Sequence, residues 1–218
     1  MQKVNFSKKI VYFLLGTGIL CVSSCAKVQK TYYPNGKVEA EVTYRHGRMD
    51  GKAIWYYEHG KIRMEANYEK GRLQGEMVRY FRNGKVENRA YYHLDTLEGE
   101  MLQYDEEEGF LSESTQYLHG RKHGRYVCYH DGEQKMVEGA YFEDEYDGDW
   151  TYWDVNGFVV GRACFQRGKG ELVAYDDRDS VIRRVSYLHS RKEGKELYYD
   201  RNGAVEKTLY YKEGRLVP

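Results

Sequence analysis

A glycine followed five residues later by an aromatic residue recurs along the chain at a nearly constant spacing. The pairs are Gly51/Tyr56, Gly75/Tyr80, Gly99/Tyr104, Gly124/Tyr129, Gly148/Trp153, Gly170/Tyr175 and Gly194/Tyr199. Successive glycines are 24, 24, 25, 24, 22 and 24 residues apart, so one supersecondary unit is copied along the chain. This periodicity predicts one elongated domain in which each unit contacts only its neighbours.

Within a repeat, apolar and polar residues alternate with the period of two that is typical of a β-strand. From Ile62 to Tyr68, every second residue is apolar, and Arg63, Glu65 and Asn67 stand between them. The pattern therefore predicts an all-β fold. We expect an elongated, curved antiparallel meander of about seven two-stranded repeats of 24 residues.

Two sets of turn-forming residues separate the predicted strands. The first set predicts two-residue hairpin turns with positive φ: Asn35-Gly36, His59-Gly60, Asn83-Gly84, Asp131-Gly132, Asn156-Gly157 and Asn202-Gly203. The second set follows each strand-ending aromatic by three residues: Gly47, Gly71, Asp95, Gly120, Asp144, Gly168, Ser190 and Gly214. Each repeat is thus expected to contain two strands and two reverse turns.

The alternation also predicts which side chains share a face of the sheet. One row is expected to be the core, because the sheet can curl over it: Ile54, Tyr56, Val78, Tyr80, Leu102, Tyr104, Val127, Tyr129, Trp153, Val173, Tyr175, Leu197 and Tyr199. The opposite face is expected to carry an outward stripe that is the candidate binding surface for a protein or a glycan: Trp55, Met77, Met101, Tyr126, Trp150, Tyr152 and Tyr198. Ordinary strand propensity and cross-strand pairing are the alternative explanation of this stripe.

The N-terminus has the pattern of a bacterial export signal. Lys3, Lys8 and Lys9 precede an uncharged stretch from residue 10 to residue 22, which is shorter than a typical membrane-spanning helix. Val22-Ser23-Ser24-Cys25 looks like a lipobox, in which the cysteine is lipidated and becomes the new N-terminus. We therefore expect a signal peptide at 1–24, a lipidated Cys25 with a tether at 25–31, and the repeat array at 32–218. The expected location is the bacterial outer membrane, facing the periplasm or the exterior.

Composition and spacing argue against several other functions. The 34 basic residues, less the three leader lysines, leave 31 against 34 acidic residues, so no basic face for nucleic acid is expected. Cys128 and Cys164 would lie three strand spacings apart, roughly 14 Å, too far for a disulfide. His119 and His123 lie in a predicted turn and lack the zincin glutamate, and no nucleophile motif is found. We expect no metal, no cofactor and no catalysis.

The repeat motif resembles a known family. Gly-x-x-hydrophobic-x-Tyr-Tyr-x-Asn-Gly-Lys-hydrophobic-x-x-Glu, seen from Gly75 to Gly84 and from Gly194 to Glu206, is similar to the MORN-repeat variant. Bacterial members of that family are often labelled YwqK-family antitoxins. The resemblance implies a curved, non-catalytic β-sheet that contacts proteins or lies near membranes. The expected function is a lipoprotein scaffold for an unidentified protein partner; the alternatives are a toxin-neutralising antitoxin or immunity protein and a glycan-binding surface lipoprotein.

Overall fold

The computed structural model describes residues 25–217, which form seventeen β-strands and no helix. Consequently, no helix in this range could cross a membrane. The strands are β1 Lys27–Tyr32, β2 Val38–Arg45, β3 Arg48–Tyr56, β4 Ile62–Glu69, β5 Arg72–Tyr80, β6 Val86–His93, β7 Thr96–Tyr104, β8 Leu111–Leu118, β9 Arg121–Tyr129, β10 Lys135–Phe142, β11 Glu145–Trp153, β12 Val159–Gln166, β13 Lys169–Tyr175, β14 Val181–Leu188, β15 Arg191–Tyr199, β16 Val205–Lys212 and β17 Arg215–Val217.

Each strand pairs antiparallel with the next one along the chain, from β1–β2 through to β16–β17. The result is one open, curved sheet, and the predicted all-β meander is confirmed. The array begins earlier than expected, because Lys27–Tyr32 pairs with β2 instead of forming a tether. The predicted signal peptide at 1–24 lies outside the described residues.

The connections that close each repeat are tight two-residue turns. His46 and Gly47, for example, have φ values of 50° and 76°, and Lys70 and Gly71 have 50° and 90°. Two successive left-handed residues match the primed turns that suit the twist of β-hairpins. The eight residues predicted to close the repeats, from Gly47 to Gly214, are confirmed as turn residues. Asp95, Asp144 and Ser190 take the position that glycine holds elsewhere.

The other connections are longer than predicted. Between β3 and β4, the Gly60 N–H donates to the Tyr57 carbonyl (2.7 Å), and the Tyr57 N–H donates to the Lys61 carbonyl (2.8 Å). Gly60 has a φ of 102°, but His59 is not left-handed. The prediction of two-residue turns at Asn35-Gly36 and its five equivalents is therefore wrong. Only the glycine of each pair has a positive φ. In this loop Gly60 is the last residue of a four-residue turn that begins at Tyr57, and Lys61 follows before β4 begins.

The periodic glycines lie inside strands, where they form β-bulges. The pairs Val42–Ala53 and Tyr44–Met49 are separated by one residue on β2 but by three residues on β3. β3 therefore has two extra residues around Gly51. Gly51 has a φ of 119°, a conformation in which a side chain would be strained. The exception among the seven is Gly170, on the seven-residue strand β13, where the pairing with β12 shows no register shift. The loss of this bulge explains the 22-residue spacing.

The core lies on one face of the sheet, which we call the core face and which contains the row Val42, Ala53 and Ala66. Its buried side chains are Ala40, Val42, Ala53, Ala66, Asn88, Ala90, Thr115, Trp150, Ala163, Phe165, Val185 and Glu196. The opposite face contains Ile54 and its equivalents. Of the thirteen residues predicted to be the core, only Val78 and Val127 are buried.

The predicted assignment of the core to the Ile54 row is therefore wrong. On the opposite face, apolar residues alternate across the strands with charged ones, because Glu65 pairs with both Ile54 and Val78. With charged neighbours, the apolar residues of the Ile54 row other than Val78 and Val127 stay only half-buried. The strand-ending aromatics, such as Tyr68 and Phe165, lie instead on the core face and cover its small residues.

Candidate functional site

The seven residues of the predicted binding stripe all lie on the core face. Met77 pairs with Ala66, Trp55 with Ala40, and Trp150 with Ala163. The prediction that they share one face is confirmed, but the prediction that they point outward is wrong for Trp150, which is 3% exposed. The remaining six are half-buried: Trp55, Met77, Met101, Tyr126, Tyr152 and Tyr198.

Trp150 is buried because aromatic rings from neighbouring strands surround it. Its ring centroid lies 4.8 Å from that of Tyr146, 5.3 Å from Tyr141 and 5.6 Å from Tyr126. Its Nε1–H donates to the Asp147 carbonyl at 3.1 Å. On β10 it faces Gly139, whose missing side chain leaves room for the indole. Trp150 is thus the centre of a core cluster and not a contact residue.

A polar segment interrupts the core face near the middle of the array. Glu113 accepts hydrogen bonds from the Gln103 amide (3.0 Å), the Thr115 hydroxyl (2.9 Å) and the Tyr126 hydroxyl (3.3 Å). Burial, together with the charge of Glu113, raises the pKa of Tyr126. Asn88 is 7% exposed, and its Oδ1 has no hydrogen-bond partner within residues 25–217. This segment was not predicted, although a threonine at 115, where Ala66 and Ala90 stand in earlier repeats, is a visible departure from the pattern.

A buried carboxylate lies near the C-terminal end of the same face. Glu196 is fully buried and accepts hydrogen bonds from Arg183, Lys192 (2.8 Å) and the Tyr198 hydroxyl (2.9 Å). Its removal from water raises its pKa, but the hydrogen bonds from its neighbours outweigh this effect and lower the pKa to about 2. The sequence signal is a glutamate two residues after the repeat glycine Gly194. The same position holds Ala53 after Gly51 and an apolar residue in the other repeats. The carboxylate is therefore an anion at neutral pH.

The long loops stack along one edge of the sheet and tie each repeat to the next. The Tyr33 hydroxyl donates to the Tyr56 carbonyl, and the Tyr57 hydroxyl to the Tyr80 carbonyl, both at 2.6 Å. His59 makes a similar bond to the Arg82 carbonyl, at 3.0 Å. These bonds join residues 23 positions apart, so the ribbon is braced along its length as well as within each hairpin.

Several histidines and carboxylates lie in turns and stabilise them. His46, His119 and His189 are confirmed as exposed turn residues with positive φ, and His119 pairs with Glu98 at 3.0 Å. Asp144 accepts the backbone N–H of Lys122 at 2.8 Å. Within residues 25–217, no group of three or more histidine, cysteine or acidic side chains could hold a metal ion.

The cysteines are separated as the sequence predicts. Cys128 lies on β9 and Cys164 on β12, three strands apart, and both thiols are free. Burial raises the pKa of the Cys128 thiol, whereas a hydrogen bond with Asp149 raises that of Cys164. Neither thiol is therefore activated as a nucleophile. Cys25 is exposed.

One cleft at the loop edge, next to Phe158 and Tyr175, has a volume of about 430 Å³. Two of its carboxylates are occupied by their own loops. Asp154 accepts the N–H groups of Asn156 and Phe158, and Asp176 accepts those of Arg178 and Ser180. Asp154 and Asp176 therefore stabilise their own turns, and Asp177 and Asp179 also line the cleft.

These features define an extended β-repeat protein with one broad face that runs along the described residues 25–217. The family model of the MORN repeat variant matches residues 27–46, 49–70, 73–93 and 192–213. The matched segments cover the strand pairs β1–β2, β3–β4, β5–β6 and β15–β16. The chain therefore contains MORN-variant repeats.

The other strand pairs follow the same pattern of pairing, so the described array is built of eight hairpin units and β17. No curated protein matches the chain. Repeats of this family generally serve contacts with proteins or membranes and form scaffolds that are not catalytic.

Proposed function

We propose that the protein is a non-catalytic scaffold, anchored to the bacterial outer membrane through Cys25, that binds another protein with its core face. The observation that carries this proposal is the row of half-buried aromatic and methionine side chains along one face of a braced sheet. Aromatic residues and methionine are enriched in protein interfaces. A face that is already fixed by neighbouring repeats also loses little conformational entropy on binding.

Three of the half-buried residues form the centre of the proposed surface. Met77 and Met101 lie on either side of the buried Ala90, and Tyr126 lies beyond Thr115. Methionine side chains adapt to partner surfaces of different shape. The adjacent Glu113 gives this apolar strip a fixed polar group that could orient a partner.

The membrane anchor rests on the lipobox-like sequence and on the position of Cys25. The residue is exposed and lies two positions before β1, so a lipid attached there would hold the first repeat at the membrane surface. A Cys25→Ala form is expected to lose membrane attachment and lipid-dependent processing. Membrane attachment at the wild-type level, with unchanged processing, would contradict the anchor.

A charge placed on the core face tests the protein-binding role. We expect Met101→Lys to reduce partner recovery at least about tenfold, equivalent to about 1.4 kcal/mol, because the partner must then bury an unpaired ammonium group. Recovery is measured by cross-linking in native membranes followed by affinity purification. The matched control is Leu102→Lys, since Leu102 is the next residue, is also half-buried and points to the opposite face.

Circular dichroism and thermal unfolding establish that both variants keep the fold. Equal recovery of every cross-linked protein with Met101→Lys and with Leu102→Lys would show that the core face does not bind a protein. Recovery lost equally with both variants would have the same meaning, because the loss would not depend on the face.

Glycan binding is a second candidate, supported by the half-buried rings of Trp55 and Tyr152 on the same face as the Gln103 amide and the Glu113 carboxylate. Rings stack on sugars, and such polar groups bond to sugar hydroxyls. A glycan array probed with the wild type and a Trp55→Ala form would separate the two roles. Neutralisation of a toxin stays a prediction from the family resemblance, and a toxin-like reading frame beside the gene would favour it.

A further inference from the structure

We infer, on the basis of the proposed protein-binding role of the core face, that the protein partner places a basic side chain, arginine or lysine, against Glu113. This residue is half-buried on β8, two residues before Thr115, which pairs with Met101 and Tyr126 of the proposed surface. A partner docked on Met101 and Tyr126 would therefore cover the Glu113 carboxylate.

The three hydrogen-bond donors of Glu113 among the described residues are neutral. Oε1 accepts the Gln103 amide at 3.0 Å and the Thr115 hydroxyl at 2.9 Å, and Oε2 accepts the Tyr126 hydroxyl at 3.3 Å. Lys122 lies 5.6 Å from the centroid of the Tyr126 ring. No ion pair within residues 25–217 includes Glu113. Its negative charge therefore has no direct partner in this part of the chain.

Glu196, which lies on the same face, shows how the chain balances such a charge elsewhere. It is fully buried and forms ion pairs with both Arg183 and Lys192. Burial raises the pKa of the nearby Tyr187, and the positive charges of Lys192 and Arg183 oppose that rise. The chain thus provides its own cations for Glu196.

The charge of Glu113 acts on the side chains around it. Burial raises the pKa of Tyr117, Tyr126 and Cys128, and the negative charge of Glu113 is the next largest cause of the rise in each of them. Tyr117 lies on the same strand as Glu113, and the other two lie on the adjacent strand β9. This part of the core face therefore attracts positive charge.

The repeat itself does not require a carboxylate at this position. The equivalent residues of two other strands are Met64 on β4, two residues before Ala66, and Val137 on β10, two residues before Gly139. Both are apolar, and both strands pair with their neighbours as β8 does. On β6 the equivalent residue is Asn88, whose buried Oδ1 has no hydrogen-bond partner within the described residues. The polar groups of this segment therefore go beyond what the packing of the sheet needs.

A basic side chain matches the chemistry of this site. A carboxylate has about four lone-pair sites, so the three neutral donors leave room for a further hydrogen bond. A bond from a charged donor is the stronger kind, and Met101 can cover the aliphatic stem that carries the charge. A partner that covered Glu113 with an apolar group would instead bury an unpaired charge, which weakens binding.

The first test compares Glu113→Gln with Glu100→Gln in the full chain, after cross-linking in native membranes and affinity purification. The proteins followed are those that Met101→Lys loses and Leu102→Lys retains. Glutamine keeps the shape of the side chain and its accepting Oε1, so Glu113→Gln removes the charge without removing the two bonds to that oxygen. Recovery with Glu113→Gln is expected to fall at least about tenfold.

Glu100→Gln is the matched control, because it removes the same charge from the adjacent strand β7. Glu100 pairs with Gln116 on the opposite face, where its carboxylate accepts the Ser114 hydroxyl at 2.6 Å. Recovery with this variant should stay at the wild-type level. Sodium chloride should weaken the binding of Glu100→Gln more than that of Glu113→Gln, which has lost the ion pair. Circular dichroism should show the same sheet content in all variants.

The sign of a charge at position 101 gives a second measurement. Met101→Lys repels a basic side chain, whereas Met101→Glu attracts it, although both variants place one charge on the core face. Recovery with Met101→Glu is therefore expected to stay within about threefold of the wild type, while Met101→Lys loses about tenfold.

Unchanged recovery with Glu113→Gln, equal losses with Glu113→Gln and Glu100→Gln, or equal losses with Met101→Glu and Met101→Lys would each overturn the basic contact. In each of these cases Met101→Lys would still lose proteins that Leu102→Lys retains, so the proposed protein-binding role would stand. If Met101→Lys lost no protein, that role and the basic contact would both fail.

Discussion

Replacing Gly139 by alanine tests whether the core face is packed as the structure shows. Gly139 is buried on β10 and has no positive φ, so alanine can adopt its backbone conformation. An added Cβ would, however, overlap the indole of Trp150 and come within 2.6 Å of its Cε3. A collision with a ring that four aromatic neighbours hold in place cannot be relieved cheaply. Overpacking of this kind costs about 1–3 kcal/mol.

The chain itself supplies the compensating change. In an earlier repeat, the same positions hold Ala66 and Met77, which pair directly. In a Trp150→Met background, Gly139→Ala should therefore stabilise the fold by about 0.5 kcal/mol, since alanine loses less entropy than glycine in a strand. The predicted coupling between the two positions is about 2 kcal/mol.

The assay is urea unfolding of the wild type, both single variants and the double variant, followed by circular dichroism. Gly194→Ala is the control, because Gly194 has a φ of 80° and open space around its missing side chain. Its cost of about 1–2 kcal/mol comes from the backbone and should be the same in both backgrounds. If Gly139→Ala cost the same in both backgrounds within about 0.5 kcal/mol, the proposed packing of Trp150 would be refuted.

Two further predictions concern the polar contacts. Replacing Glu196 by Gln should destabilise the fold by roughly 3 kcal/mol near neutral pH, because the depressed pKa favours the folded state only while the carboxyl is ionised. This difference from the wild type should be complete above the ordinary pKa of 4.5 and should vanish as the pH falls through about 2, and a difference independent of pH would contradict the ion network. Tyr57→Phe should cost about 0.5–1.5 kcal/mol in urea unfolding, because the Tyr80 carbonyl loses its donor. Tyr91→Phe, which changes an exposed tyrosine, should stay within about 0.5 kcal/mol, and equal costs for the two changes would argue against bracing by the loop edge.

The sequence predicted the fold well because the repeat leaves few alternatives. A period near 24 residues with strand alternation requires two strands in each unit, and short connections require that consecutive strands pair. The residues from Gly47 to Gly214 were correctly placed in turns, because only a few residue types accept two left-handed positions in succession. For Asn35-Gly36 and its equivalents, the predicted loop length of two residues was wrong. A single left-handed glycine occurs in several types of turn, so it does not determine the length of the loop.

The candidate surface was predicted less well. The alternation placed Trp55 and Trp150 correctly on one face, opposite Ile54. It could not show which face is buried, because both faces carry apolar residues. That outcome depends on the register between strands, which sets Glu65 beside Ile54 and Tyr141 against Trp150.

By itself, the amino-acid sequence determined the repeating unit, the strand content, the order of pairing and the separation of Cys128 from Cys164, because these depend on local periodicity and chain connectivity. Only the tertiary structure decided that the alanine row forms the core, that Trp150 is enclosed and that Glu196 is a buried anion. The bulges at glycines such as Gly51 shift the register between strands, and this shift selects the side chains that meet across the sheet. Burial arises from those contacts, and no single strand contains them.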